Sequence, residues 1–347
     1  MINATSYQPS GLLRHAQIQS VLASKSPRKR IWRRRGNGME AAAQPHVLDA
    51  GDGIRLSGYW SPQADAAASR GLVVLIHGWE GCHDSAYLYS MACALYAAGY
   101  SVFRLNLRDH GGTHHLNREV FHSARIDEVV GAIRATQAFE PRSPLYVVGF
   151  SLGGNFALRV GIHGPATGVV PQLSVGICPS INPRSTIEAI DTGSAMFRWY
   201  FADKWRKTVR AKIAAWPEYA DQGETYLRPD SLLEITRRFA EEQTGYGSID
   251  DYLAAYTLDH DRLTSAPSPL AIITAADDPV IPIRDFRGLT ARGSLRNLDV
   301  TRHGGHCGFI ENLRMQSWAE TRTLELLDSA SESAARGAAM APASQPG

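Results

Sequence analysis

The chain of 347 residues is long enough for one large core or two smaller ones. At 44% apolar and 20% charged it has ordinary globular composition, which excludes wholesale disorder, and a net charge of +2 gives no general pull toward nucleic acid or an anionic membrane. No run of about 18 apolar residues occurs, so no membrane span is expected, and four scattered cysteines (Cys82, Cys93, Cys178, Cys307) with no CxxC pair favour reduced thiols in a cytoplasmic protein.

No acidic residue precedes Glu40, and KSPRKRIWRRR (25–35) is densely basic. No apolar stretch follows those charges, so a secretory signal is not expected. A solvated segment leading into the fold is preferred over a nucleic-acid or targeting arm. From residue 46 the elements alternate. HVLDAGDGIRLSGYW (46–60) reads as an antiparallel hairpin about Gly51, Asp52 and Gly53. GLVVLIHG (71–78) is a β-branched run suited to a strand buried on both faces. A helix over 85–100, a strand over 101–109, an amphipathic helix over 124–139 and a buried strand over 145–150 follow. The pattern continues with a helix over 155–164, strands over 173–180, 269–278 and 294–303, and a helix over 309–330. Strict alternation predicts an α/β fold with a mostly parallel sheet covered on both faces.

Between 183 and 264 the spacing is helical and no strand is predicted, so this interval is expected to be a helical lid inserted in the core formed by 46–182 and 265–328. Residues 1–45 form the basic N-terminal segment. Residues 329–347, rich in small and polar side chains, are expected to be a disordered tail.

In open α/β sheets, function gathers at the carboxyl ends of the strands. The strand LYVVGF runs directly into Ser151, and a helix starts directly after it, with Gly149 and Gly153 where side chains would clash in a sharp turn. A serine hydroxyl needs a base. Among twelve histidines, His306 in the glycine-rich loop HGGHCGF is favoured, with His303 as its rival. AADDPVIP supplies the acid that orients the imidazole, Asp278 ahead of Asp277. The chain order Ser151, Asp278, His306 is that of an α/β-hydrolase arrangement. An oxyanion needs backbone donors, for which the N–H groups of Leu152 and Trp79 are the candidates. His77 is read as shaping its loop. His110, His114, His115 and His122 match no metal spacing, so no metal and no cofactor are expected. Aromatic residues in 197–219 are read as the apolar face of lid helices.

With those residues in place the chain resembles the YheT-like branch of the α/β-hydrolase superfamily, to which ABHD1/2/3-type lipases and yeast ethanol acyltransferases are related. The likeness runs from about residue 7 to 325. HGWEGCHDSAYLYSMACAL is similar to that branch's HG-x-EG…S-x-Y block. LRDHGGTHHLNREVFHSA is similar to its loop ending in a Tyr/Phe-His-Ser triplet, here Phe121, His122 and Ser123. GFSLGGN, ending in Asn155, resembles its nucleophile motif, and AADDP its acid motif. YQPSGLLRHAQIQSVL looks like a degraded F-x-P…H-x-Q-T opening, with Gln17 and Ser20 where His and Thr are usual. That resemblance places residues 7–40 in the fold and disfavours both a start at Met39 and a targeting arm. It implies a serine hydrolase of short-chain or lipid-like carboxylic esters acting through an acyl-enzyme, with acyl transfer to alcohols or a silent binding role as the rivals. The implied partner is a small-molecule ester, with peripheral membrane contact compatible, no nucleic acid, and the oligomeric state open.

Overall fold

A computed structural model describes residues 7–24, 26–35, 38–227 and 231–340. The hairpin forms where the alternation predicts it: β1 (Gln44–Asp49) pairs antiparallel with β2 (Arg55–Ser61), and Gly51, Asp52 and Gly53 in the turn all take positive φ. The buried runs become β3 (Leu72–Ile76), β4 (Ser101–Asn106), β5 (Leu145–Phe150), β6 (Leu173–Ile177), β7 (Leu270–Ala275) and β8 (Leu295–Thr301). All eight strands make one sheet in the order β1-β2-β4-β3-β5-β6-β7-β8; β2 runs antiparallel to both neighbours and the pairs from β4 to β8 are parallel. In β3, Val73 and Leu75 enter one core cluster while Leu72, Val74 and Ile76 enter the other. A strand buried on both faces therefore reads as an unbroken apolar run.

One face of the sheet carries α1 (Ala16–Ser24), α2 (Ser26–Arg35), α3 (Ala86–Ala97) and α12 (Trp318–Met340), and the other carries α4 (Ile126–Gln137) and α5 (Leu152–His163). Because β4 and β5 lie on opposite sides of β3, the strand order reverses at the carboxyl ends of β3 and β5, which opens the crevice where such sheets bind ligands. Over that edge, between β6 and β7, come α6 (Pro183–Thr192), α7 (Ala195–Ala215), α8 (Ala220–Tyr226), α9 (Leu232–Gln243), α10 (Ile249–Ala254) and α11 (His260–Thr264). No strand interrupts them among the described residues. None of the described helices is long and apolar enough to cross a membrane.

Two boundaries differ from expectation. The helix predicted from 309 starts at Trp318, because residues 309–317 fold back on themselves: Trp318 N–H donates to the Phe309 carbonyl at 2.9 Å, and Ile310 bridges Ser317. The same helix then continues to Met340 instead of stopping near 329. Alanine, glutamate and arginine are strong helix formers even where no large apolar side chain marks a buried face, and Glu332 pairs with Arg336 one turn on at 3.6 Å. Only 341–347 of the expected tail lies outside the described residues.

The basic N-terminal segment contributes the short helices α1 and α2, which lie on the fold. Arg28 is 2% exposed and pairs with Glu320 of α12 at 2.6 Å, and Lys29 pairs with Asp84. Gln19, fully buried, uses its amide twice on Ile310, donating to the carbonyl at 2.9 Å and accepting the N–H at 2.7 Å. Tyr7 donates to the same carbonyl at 3.2 Å.

Candidate active site

Ser151 sits between β5 and α5 with φ 55°, a left-handed conformation that a non-glycine residue holds only at a cost. The turn is crowded to the backbone: a Cβ on Gly149 would lie 1.9 Å from the Gly153 carbonyl oxygen, and one on Gly153 would lie 2.3 Å from that of Ile76. Only glycine fits at either position. The strained turn lifts the Ser151 side chain into the crevice at the start of α5, where the unpaired N–H groups of a helix terminus favour negative charge.

The structure brings Ser151, His306 and Asp278 together. His306 Nε2 lies 3.0 Å from Ser151 Oγ, and His306 Nδ1 lies 2.9 Å from Asp278 Oδ2 and 3.2 Å from Oδ1. A carboxylate only accepts, so Nδ1 carries the proton and Nε2 is left to accept the serine O–H. Asp278 is itself held by the N–H groups of Val280 and Ile281, 2.8 and 2.9 Å from its Oδ1. Burial alone would pull the His306 pKa down; the facing Asp278 carboxylate, aided by Cys307, holds it well above the ordinary imidazole value.

Asp277 points elsewhere. It accepts the Gly305 N–H at 2.9 Å and lies 3.6 Å from His303 Nδ1, so the second aspartate and the second histidine face each other behind the loop. The loop that carries His306 is also gripped from α1: the Ser20 hydroxyl accepts the His306 N–H at 2.8 Å, and a Cβ on Gly305 would meet the Ala16 carbonyl at 2.3 Å. The opening motif thus touches the site through Gln19 and Ser20, a link that nothing in the local spacing of residues 15–20 could have revealed.

Leu152 and Trp79 flank Ser151, and among the described residues no protein acceptor takes either backbone N–H. Next to Trp79, the Gly78 N–H donates to the half-buried Tyr87 hydroxyl at 3.0 Å, which braces this loop. Tyr87 is the tyrosine of the S-x-Y block, and sequence reasoning gave it no role. His77 is fully buried; its Nε2 accepts the Leu107 N–H at 3.1 Å and its Nδ1 donates to the Gly78 carbonyl at 2.7 Å, so the ring is spent on holding two strand ends. His110 likewise accepts the Glu80 N–H at 3.2 Å. Asn155 donates to the carbonyls of Ser180 and Tyr256, at 2.9 and 2.7 Å, fastening α5 to the segment after β6 and to the turn between α10 and α11 of the helical insertion.

The insertion touches the same loop. Glu80, with φ 57°, accepts from Thr208 of α7 at 2.5 Å, and burial pushes its carboxyl up to about 7. Lys212 of α7 is buried against Asp109 at 3.0 Å. Phe201 and Trp205 of α7 stack near Trp79 at centroid distances of 5.5 and 6.1 Å. Between α6, α7, α9 and the sheet edge lies a chamber, apolar apart from a few hydroxyls and His122, and it ends on Ser151. On the other side of Ser151 and His306 is a polar cleft lined by Lys29, Asp84 and Lys204 among others. Ser151 therefore stands between an apolar chamber and a polar cleft.

The profile of the Alpha/beta hydrolase family matches residues 73–315. The chain is 23% identical over 279 residues to Phospholipase ABHD3 of Mus musculus, a match covering 77% of this chain and 66% of that protein. It is 25% identical over 287 residues to the protein named "Putative esterase YheT" of Escherichia coli, covering 79% and 81%. The chain thus spans just under two thirds of the phospholipase and most of the bacterial protein. Among solved structures, the esterase Pf2001 of Pyrococcus furiosus superposes with a TM-score of 0.54 at 18% identity over 83% of this chain and 92% of its own, a likeness of fold.

Proposed function

Since the chain belongs to the alpha/beta hydrolase family, we propose that it is a serine hydrolase of carboxylic esters in which Ser151 is the nucleophile, His306 the base and Asp278 the orienting acid. The observation that carries this reading is the Ser151 Oγ to His306 Nε2 distance of 3.0 Å, at the boundary of an apolar chamber and a polar cleft. In the first half-reaction Ser151 Oγ attacks the ester carbonyl and His306 Nε2 takes its proton. The N–H groups of Leu152 and Trp79 hold the oxyanion, an interaction worth roughly 3–4 kcal/mol per donor. Protonated His306 then passes its proton to the departing alcohol, leaving an acyl-Ser151 ester. In the second half, His306 deprotonates a water that attacks this ester, and the acid leaves with Ser151 restored.

The acyl group belongs in the apolar chamber and the alcohol in the polar cleft, which suits acyl esters with a polar alcohol part. Helices α6–α11 act as the lid, tied to the oxyanion loop through Glu80 and Thr208. The cysteines carry reduced thiols, which supports a cytoplasmic location. The direct test is labelling with a fluorophosphonate probe, followed by hydrolysis of a p-nitrophenyl ester series. Wild type should label and turn over esters, and Ser151→Ala should do neither. Equal labelling of both proteins would remove Ser151 from the role.

A further inference from the structure

Two thiols that the reaction does not use stand directly beside its base. Cys178 follows β6 and Cys307 follows His306, and both are buried with left-handed backbones, φ 45° and 60°. The Cys307 N–H points at the Cys178 sulfur, 3.4 Å away. One imidazole nitrogen of His306 and the two sulfurs all lie within 4.8 Å of one another. Two thiolates and an imidazole around tetrahedral zinc need donor separations of about 3.5–3.8 Å, so a rearrangement of roughly 1 Å closes the set.

Two further features fit a metal. Asp278 on Nδ1 fixes the imidazole ring and leaves Nε2 as its donor, which is how a carboxylate commonly supports a metal-bound histidine. The polar cleft reaches both His306 and Cys307 and gives a hydrated ion an access route and a fourth, water ligand.

We propose that Cys178, Cys307 and His306 form a binding site for a thiophilic divalent cation such as zinc, and that occupancy switches the hydrolase off. Binding releases the thiol protons to solvent. It also takes the His306 Nε2 lone pair, so Ser151 loses the acceptor for its proton. No oxidation is involved, and removal of the ion by a chelator restores the site. The switching part rests on the ester-hydrolase reading; the binding part does not.

The test titrates the full chain, stripped with a chelator, with cadmium, and follows the near-ultraviolet thiolate-to-cadmium absorption alongside fluorophosphonate labelling. One equivalent should produce the band and abolish labelling, and EDTA should reverse both. The band should disappear in Cys178→Ser and in Cys307→Ser, and persist in Cys82→Ser. Circular dichroism establishes that each variant is folded, and Cys307→Ala stands in for any that is not. No band in wild type, a band that survives loss of Cys307 in a folded protein, or full labelling at saturation would overturn the proposal. A cadmium band in a protein that hydrolyses no ester of the series sinks the ester reading and leaves the metal site standing.

Discussion

Asp277 and Asp278 are adjacent in sequence and face different histidines, so a single substitution at each separates an orienting role from a scaffolding one. Asp278 meets His306 Nδ1 at 2.9 Å, whereas Asp277 accepts a backbone N–H from the loop at 2.9 Å. Asp278→Asn offers an amide that can present its N–H to Nδ1 and force the wrong tautomer; kcat should fall by about 10⁴. Asp277→Asn keeps an oxygen for the Gly305 N–H, and its kcat should stay within about tenfold, the worth of one hydrogen bond. Steady-state rates on one p-nitrophenyl ester check both, and a larger loss at Asp277 would reverse the assignment. The base itself predicts a pH dependence. His306 must be neutral to accept the serine proton, and its pKa is held up, so it stays protonated to a higher pH than a free imidazole. The rise of kcat/KM with pH should then fall above the ordinary value of about 6.5. In Asp278→Asn, which lacks the charge that holds it up, the residual activity should rise at lower pH. A profile of wild type with its midpoint below the ordinary histidine value would contradict this.

At the scale of elements, α1 positions the loop that carries His306, the proposed base. Ser20 acts through His306 and touches no reacting atom, so Ser20→Ala should lower kcat with KM unmoved, and Ser20→Thr, which keeps the hydroxyl, should restore it. A shared loss in the Thr variant would point to packing alone. α2 is fixed more deeply. Glu320→Gln leaves the Arg28 guanidinium buried without its counter-charge, and loss of one partner of such a pair costs about 3–5 kcal/mol, read as a drop in thermal midpoint. These long-range ties were the part of the site least legible in the sequence. The strands announced themselves through unbroken apolar runs, and Ser151 through glycines that the turn requires. Gln19 and Ser20, in contrast, are polar residues on a short helix, and their partners lie about 290 positions away. Periodicity within a window cannot register a hydrogen bond of that span. The resemblance of the opening motif marked the segment as part of the fold, but only coordinates connect it to His306. The last helix erred in the opposite sense: its apolar signal faded near 329, while alanine and charged pairs kept it helical to Met340.

For the molecule as a whole, on the proposed reading, the sheet presents the reacting groups and a separate set of helices shapes what reaches them. Chain length should then be tunable in the helices with the chemistry left intact. Beside the chamber that ends on Ser151 lies a second, mostly apolar one between α7, α8 and α9, and both are bounded by Phe121, Trp205 and Phe239. Those three rings form a partition, and on the proposed reading it confines an acyl chain to the first chamber. Phe239→Ala removes one panel. Trp205 keeps its indole N–H bonded to the Tyr226 carbonyl at 3.1 Å, so the rest of the wall stays anchored. Each methylene that gains access to the second cavity contributes about 0.8 kcal/mol, roughly fourfold in kcat/KM. Phe239→Ala should therefore move the optimum of an ester series toward longer chains, with Ser151 labelling retained at a temperature below the melt. The lost aromatic packing should cost about 3–5 kcal/mol of stability, so the thermal midpoint falls in the same variant. If the ratio of long-chain to short-chain kcat/KM is unchanged while the melt drops, the rings are core packing and the limit on chain length is set elsewhere.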